Sequence, residues 1–223
     1  MRNSAGTIRQ ILDRNMYLHS PGEMVISERN KKKGIPMKRK EFIAMIPASL
    51  LAAKAWAQKQ EGAKGKKMLI VYYSWSGNTR HLANIIKEAT KADIVEIVPE
   101  KPYPSGYRQT VDQAKKEIDA EYKAPIKTKV PNLAEYDIVF VGSPNWWGTI
   151  SSPVRTFLAE NDFSGKKIAP FMTHEGSRMG RAVGDIKKLC GKSEILEALP
   201  IRGGSVKNST EETQNWLKRL GVI

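Results

Sequence analysis

An apolar run that leads through a hydroxyl-rich turn into a helical pattern is the feature that most restricts the fold of this 223-residue chain. The run, Met68 to Tyr73, has no polar interruption and is rich in β-branched and aromatic residues. That composition is typical of a strand buried on both faces. Leu82, Ile85 and Ile86 then recur at helical spacing. A doubly buried strand that leads into a helix predicts a parallel sheet covered by helices.

The turn between this strand and helix predicts a phosphate site. It offers three hydroxyls, an amide and backbone N–H groups at a helix N-terminus, which suit a phosphate dianion. Its residues are Ser74, Trp75, Ser76, Gly77, Asn78 and Thr79. One glycine and no lysine exclude a Walker A loop and the three-glycine dinucleotide fingerprint. The alternative is an ordinary strand-to-helix turn with a Ser or Thr cap.

A second short strand pattern, residues 137–141, runs into a loop with two adjacent tryptophans. The loop contains Pro144, Asn145, Trp146, Trp147 and Gly148. Because the carboxyl ends of parallel strands line one edge of the sheet, we expect this loop to neighbour the first. Large flat side chains at a loop tip suit stacking against an aromatic ligand. The alternative is that one indole fills the edge of the sheet.

A third strand pattern, residues 167–172, ends in another polar, glycine-bearing loop. Its candidate site residues are Thr173, His174, Glu175, Gly176 and Ser177. Hydrogen-bond donors for a phosphate thus follow the first of these strands, aromatic faces follow the second, and small hydrogen-bonding groups follow the third. Together they predict a site for a phosphorylated planar heterocycle.

The three loops, in this order, resemble the FMN-binding loops of the flavodoxins. The resemblance covers residues 66–223 and implies FMN as the cofactor, with its phosphate held by Ser74, Ser76, Asn78 and Thr79. It also implies that Trp146 or Trp147 flanks the isoalloxazine and that the Gly148 carbonyl accepts a hydrogen bond from N5 of the reduced ring. The double tryptophan departs from the family pattern. The third loop lacks a tyrosine, which leaves the second ring face to His174 or open.

The remaining patterns complete an α/β fold. Strand patterns cover residues 92–98 and 195–202, and helical patterns cover 107–122 and 209–220. We therefore predict a three-layer α/β/α domain of the flavodoxin-like type, with a doubly wound five-stranded parallel sheet in the order 2-1-3-4-5. The long connection over residues 101–131 is of the kind that is often functional.

Residues 37–57 have the form of a signal peptide. A basic start, an apolar stretch from Phe42 to Ala53 and the small residues Ala55 and Ala57 before Gln58 follow that pattern. The apolar stretch is too short to span a bilayer. We therefore expect an exported, periplasmic protein, soluble after cleavage, with a linker over residues 58–65. Residues 1–36 are either untranslated or a disordered basic extension.

The export route is open between twin-arginine and general secretion. Arg39-Lys40 ahead of Phe42 resembles the twin-arginine motif, with lysine in place of one arginine. A route that carries folded proteins would preserve a cofactor loaded before export.

Charge and cysteine content restrict the classes of partner and the cross-links that this chain can form. The net charge is +14; residues 1–57 carry 11 Lys/Arg and 4 Asp/Glu, and the rest carries 26 and 19, so each part contributes +7. The basic residues are scattered, which argues against nucleic-acid binding. The net positive charge differs from the acidic character usual in flavodoxins. Cys190 is the single cysteine, so no internal disulfide forms. No Cys/His/Asp spacing indicates a metal site.

Three functions are compatible with these patterns. The first is an FMN-binding electron-transfer protein, whose partner is a redox protein, acidic in complement to the basic domain, or a small-molecule acceptor. The second is an FMN-dependent NAD(P)H:quinone-type oxidoreductase, which needs a pocket above the ring. The third is a binding module that kept the fold and lost the flavin. The sequence assigns no catalytic residue.

Overall fold

The computed structural model describes residues 65–223, and the proposed signal peptide and the extension before it lie outside that range. The strands are β1 (Met68–Tyr72), β2 (Asp93–Glu96), β3 (Ile138–Trp146), β4 (Thr149–Ile150), β5 (Lys167–His174), β6 (Glu194–Ile195) and β7 (Leu199–Arg202). The α-helices are α1 (Asn78–Thr90), α2 (Tyr107–Asp119), α3 (Ser152–Glu160), α4 (Ala182–Leu189) and α5 (Thr210–Arg219). Two 3₁₀ turns cover Leu133–Glu135 and Gly203–Asn208.

The main sheet is parallel and has the predicted winding. Its order is β2-β1-β3-β5, and both β6 and β7 pair with β5 in parallel. The chain moves from β1 to one neighbour, β2, and then crosses to the other, β3. This reversal of direction is the switch point at which ligands bind in open α/β sheets.

Two details of the predicted sheet were wrong. The expected fifth strand over residues 195–202 is divided into β6 and β7, with three residues between them outside the ladder. The Trp loop also forms a small hairpin, because β4 pairs antiparallel with the end of β3. Both changes lie at the carboxyl edge or the outer side of the sheet, where pairing is set by local turns and not by hydrophobic periodicity.

Helices cover both faces, which confirms the three-layer arrangement. On one face, Leu82 and Ile86 of α1 and Trp216 of α5 pack against Ile70 and Phe140. The opposite face is covered by α3 and α4, whose apolar residues pack against alternate residues of the same strands, among them Leu69, Val71 and Val139. Neighbouring residues of a strand point to opposite faces, and helices cover both faces, so β1 is buried on both sides.

Among residues 65–223, no helix combines the length and the apolar character that a membrane crossing requires. Cys190 is a buried free thiol directly after α4. Burial raises its pKa to about 12, so it is protonated at neutral pH and unsuited to act as a nucleophile.

Candidate cofactor site

The three predicted loops meet at the carboxyl edge of β1, β3 and β5 and line a single cleft of about 450 Å³. From the first loop the cleft is lined by Trp75, Ser76 and Asn78. The second loop contributes Pro144, Asn145, Trp146, Trp147 and Gly148. The third contributes Thr173, His174, Glu175 and Ser177. The register explains the convergence, since Tyr72 at the end of β1 lies beside Gly142 of β3, and Gly142 lies beside Phe171 of β5, a few residues before those two strands end.

Two of the predicted hydroxyl donors have hydrogen-bond partners inside the protein. The Ser74 hydroxyl accepts the N–H of Gly77 at 3.1 Å, which closes the turn. The Thr79 hydroxyl is buried and lies 2.8 Å from that of Thr173, so it joins the first loop to the third. Ser76 is exposed and lines the cleft. The lining does not include Ser74, Gly77, Thr79 or Gly176.

The part of the cleft suited to a phosphate, its phosphate end, is the N-terminus of α1. The helix begins at Asn78, and Gly77 before it has φ 94°, a left-handed conformation that glycine adopts without strain. The first-turn N–H groups of an α-helix have no partners within the helix, and its dipole favours an anion there. Ser76 and Asn78 add side-chain donors at the same end.

The two tryptophans have different environments. Trp146 is half-buried and packs edge-on against Tyr103 and Tyr73, with ring centroids 4.8 and 5.6 Å apart. Trp147 is 49% exposed. Its indole Nε1 donates to the Val111 carbonyl at 3.1 Å. Trp146 thus fills the edge of the sheet and also lines the cleft. Trp147 is the more exposed aromatic side chain of the cleft, and the Lys115 Nζ lies 5.4 Å from its ring centroid.

The backbone of the Trp loop is held by the third loop. The Gly148 carbonyl accepts the N–H of Arg181 at 2.8 Å. A Cβ on Gly180 would lie 2.9 Å from the Gly148 Cα and closer still to its carbonyl oxygen. The carbonyl expected to accept from a reduced flavin therefore already accepts from a protein donor that the sequence did not reveal.

His174 presents a defined tautomer to the cleft. Its Nδ1 accepts the N–H of Gly176 at 2.9 Å, which leaves any proton of the neutral ring on Nε2. Burial lowers the pKa of His174, and the nearby Arg178 and Arg202 lower it further, while Glu175 opposes them. At neutral pH, His174 is an uncharged N–H donor and not a cation.

The sequence missed a fourth segment at the phosphate end, the start of the 3₁₀ turn after β7. A Cβ on Gly203 would lie 2.7 Å from the Asn78 amide nitrogen and closer still to Glu175 Oε1. The absence of a side chain there lets these two groups approach the same point. No sequence signal marked Gly203 beyond its position after the last strand.

Helix α2 forms a further wall that the sequence did not assign to the site. Tyr107, Thr110, Val111 and Ala114 line the cleft. Tyr107 is 71% exposed, and its ring lies 6.2 Å from that of Trp75. The length of the connection over residues 101–131 was the signal, but the face that α2 turns to the cleft depends on tertiary packing.

The residues present fit a phosphorylated planar ligand. The volume is typical of small-molecule sites. The donors Ser76 and Asn78 lie at a helix N-terminus, with the Glu175 carboxylate near the Asn78 amide, and aromatic side chains line the same cleft. Within residues 65–223, no group of three or more His, Cys, Asp or Glu side chains is placed to hold a metal ion.

Known proteins resemble this chain in both sequence and structure. Residues 67–220 match the sequence profile of the family described as Flavodoxin. An NAD(P)H dehydrogenase (quinone) from Rhizobium johnstonii is 28% identical over 152 residues, which cover 60% of this chain and 71% of the relative. NAD(P)H dehydrogenase (quinone) 3 from Rhizobium meliloti is 32% identical over 130 residues, covering 51% of this chain and 55% of the relative.

Two solved structures have the same fold. One, from Bacteroides eggerthii, is 26% identical with a TM-score of 0.64 and covers 71% of this chain and 100% of that one. The other, a flavoprotein in complex with FMN from Lactobacillus acidophilus, is 25% identical with a TM-score of 0.53 and covers 66% and 99%.

Proposed function

This chain belongs to the flavodoxin family, and from that premise we propose that it binds FMN non-covalently in the cleft and acts in electron transfer. One observation carries the proposal: a single cleft is lined by Ser76 and Asn78 at a helix N-terminus, its phosphate end, and by the Trp loop, its ring end. The FMN complex of the Lactobacillus acidophilus flavoprotein supports the choice of cofactor.

Different residues would contact the phosphate and the ring of the cofactor. The phosphate would lie at the first turn of α1, held by backbone N–H groups, Ser76 and Asn78. Trp147 and Trp146 would contact the ring, and His174 would donate a hydrogen bond from Nε2. FMN supplies the redox chemistry, and the protein supplies orientation and electrostatics.

Visible spectroscopy of the purified protein tests the proposal. We expect flavin absorbance, and stronger binding of FMN than of riboflavin by quenching of flavin fluorescence. Ser76→Ala should weaken FMN binding about 10- to 100-fold, since a hydrogen bond to a charged group contributes roughly 1.5–3 kcal/mol. Riboflavin affinity should not change. Equal affinity of the wild-type protein for FMN and riboflavin would contradict the phosphate site.

A second candidate function is an FMN-dependent NAD(P)H:quinone oxidoreductase. The wall formed by Tyr107, Thr110 and Val111 gives the cleft a side that a simple carrier does not need. The names of the two Rhizobium relatives agree with this activity. Oxidation of NAD(P)H by the FMN-loaded protein, with and without a soluble quinone, separates an oxidoreductase from a carrier.

We also propose that residues 37–57 direct export and that the electron partner is an acidic protein or a small acceptor. The sequence pattern supports the first point and the basic balance of residues 58–223 the second. Mass spectrometry of the exported form should give an N-terminus at Gln58. Retention of the precursor after replacement of both Arg39 and Lys40 by Gln would identify the twin-arginine route.

A further inference from the structure

Asp185 is a buried carboxylate that lies outside the cleft. It is on α4 and is 8% exposed. Its Oδ2 accepts a hydrogen bond from the Thr149 hydroxyl at 2.5 Å and another from Arg181 Nε at 3.2 Å. The Arg155 guanidinium, which is also buried, lies 3.8 Å from the same oxygen. Nothing in the proposed binding of FMN uses this group directly.

The contacts of Asp185 reach the Trp loop by two routes. Thr149 directly follows Gly148 in the chain, so the first contact fixes the exit of the turn. Arg181, whose side chain binds Asp185, uses its backbone N–H to hold the Gly148 carbonyl. The Asp185 carboxylate thus holds the Gly148 peptide through Thr149, the next residue in the chain, and through Arg181, whose N–H binds the Gly148 carbonyl.

The turn needs such support because its backbone is unfavourable. Trp147 has φ 51°, and Gly148 after it has φ 81°, which glycine adopts without strain. A bulky residue at positive φ is a rare conformation that persists only where surrounding contacts determine it. A second tie is the Asn145 side chain, which accepts the Gly148 N–H at 2.9 Å and donates to the Arg178 carbonyl at 2.8 Å.

We propose that Asp185 is a positioning residue that holds the Trp147-Gly148 turn in its strained shape and thereby sets the ring end of the cleft. The inference rests on the proposed binding of FMN. Since Asp185 touches neither end of the cleft itself, it acts through Thr149 and Arg181. Its loss should affect every ligand that uses the ring end and should spare the phosphate end.

Two variants test the role. Thr149→Val removes one hydrogen bond without leaving a buried charge unpaired, and Asp185→Asn removes the charge at nearly constant volume. We expect each to weaken FMN and riboflavin binding by the same factor, about tenfold, as for one lost hydrogen bond, so that the ratio of the two affinities is unchanged. Thr156→Val is the matched control, because Thr156 is equally buried and hydrogen-bonded to the Ala124 carbonyl at 2.7 Å, away from the cleft.

Unchanged affinities in folded Thr149→Val and Asp185→Asn would overturn the inference, as would an equal loss in Thr156→Val. If the wild-type protein bound no flavin, the proposed function would fail, and the flavin-free protein would decide the inference. In that protein, Asp185→Asn should change the near-ultraviolet circular dichroism of tryptophan, and the change should disappear in a Trp147→Phe background. A spectrum that Asp185→Asn leaves unaltered would then refute the positioning role.

Discussion

At the scale of single residues, the site depends on groups whose polar atoms already have defined partners. The Thr79 and Thr173 hydroxyls bind each other, and His174 Nδ1 binds the N–H of Gly176. These contacts fix the relative positions of the first and third loops without the ligand. Preorganisation of this kind reduces the entropy lost on binding.

Gly203 offers a sharp residue-scale test. Gly203→Ala would place a methyl group against the Asn78 amide and the Glu175 carboxylate. Because the side chains of Asn78 and Glu175 can move aside, we expect a small change in Tm but a fall of several-fold in FMN affinity, the equivalent of about 1 kcal/mol. Gly204→Ala is the matched control, since a Cβ there meets nothing within 4 Å. Equal affinities of the two variants would show that Asn78 does not bind the phosphate.

His174 makes stability depend on pH. Its pKa is lowered from 6.5 in the folded protein, by burial first and then by Arg178. The unfolded chain therefore binds a proton more readily than the folded protein as the pH falls, and the free energy of unfolding decreases below about pH 6.5. Urea unfolding of the wild type and of His174→Gln between pH 5 and 8 should show a smaller loss in the variant. Parallel curves would contradict the shift.

At the scale of the elements, the Phe171 ring of β5 lies against Gly142 of β3 and leaves no room for a side chain there. A Cβ on Gly142 would lie 2.7 Å from the Tyr72 Cβ and closer still to the Phe171 ring. These are core neighbours on both sides of the strand end, just before the Trp loop leaves β3. The close approach explains why a glycine stands in an otherwise β-branched strand.

Two glycine-to-alanine changes should therefore have opposite signs. Gly142→Ala forces core side chains apart and should lower the free energy of unfolding by about 1–3 kcal/mol or more. Gly184→Ala, in α4, where a Cβ meets nothing within 4 Å, should raise it by about 0.5–1 kcal/mol. Denaturant unfolding of both variants measures the difference. A stabilised Gly142→Ala protein would show that this packing is looser than the structure indicates.

At the scale of the whole molecule, the charge balance bears on the potential of a bound flavin. Residues 58–223 carry 26 basic and 19 acidic side chains. His174 lies near Arg178 and Arg202. Reduction adds negative charge to the ring beside a phosphate dianion, and neighbouring cations stabilise the product.

We therefore expect a less negative potential for full reduction than in acidic flavodoxins. The difference should shrink as salt is added, since charges farther apart than about 10 Å are screened at 0.1 M. Each 1.4 kcal/mol corresponds to roughly 59 mV in a one-electron step. Redox titration at low and high ionic strength, on the wild type and on Arg178→Gln, measures the effect. A strongly negative potential with no salt dependence would show that contacts with the flavin ring, and not the basic side chains, set the potential.

The fold class and the residues of the three loops could be predicted from the amino-acid pattern of the chain. Doubly buried runs such as Met68–Tyr72 are typical of interior parallel strands, and parallel strands bring their carboxyl ends together. Residue order along the chain therefore sufficed to place Ser76, Trp146 and His174 at one edge.

Tertiary structure alone decided which of these groups face the cleft. Thr79 turns its hydroxyl to Thr173, the Gly148 carbonyl binds the Arg181 N–H, and α2 contributes Val111 to the lining. The same packing divides the last strand into β6 and β7. Each of these outcomes depends on contacts between residues far apart in the chain, and hydrophobic periodicity, which reports only which side of an element is buried, carries no information about its partner.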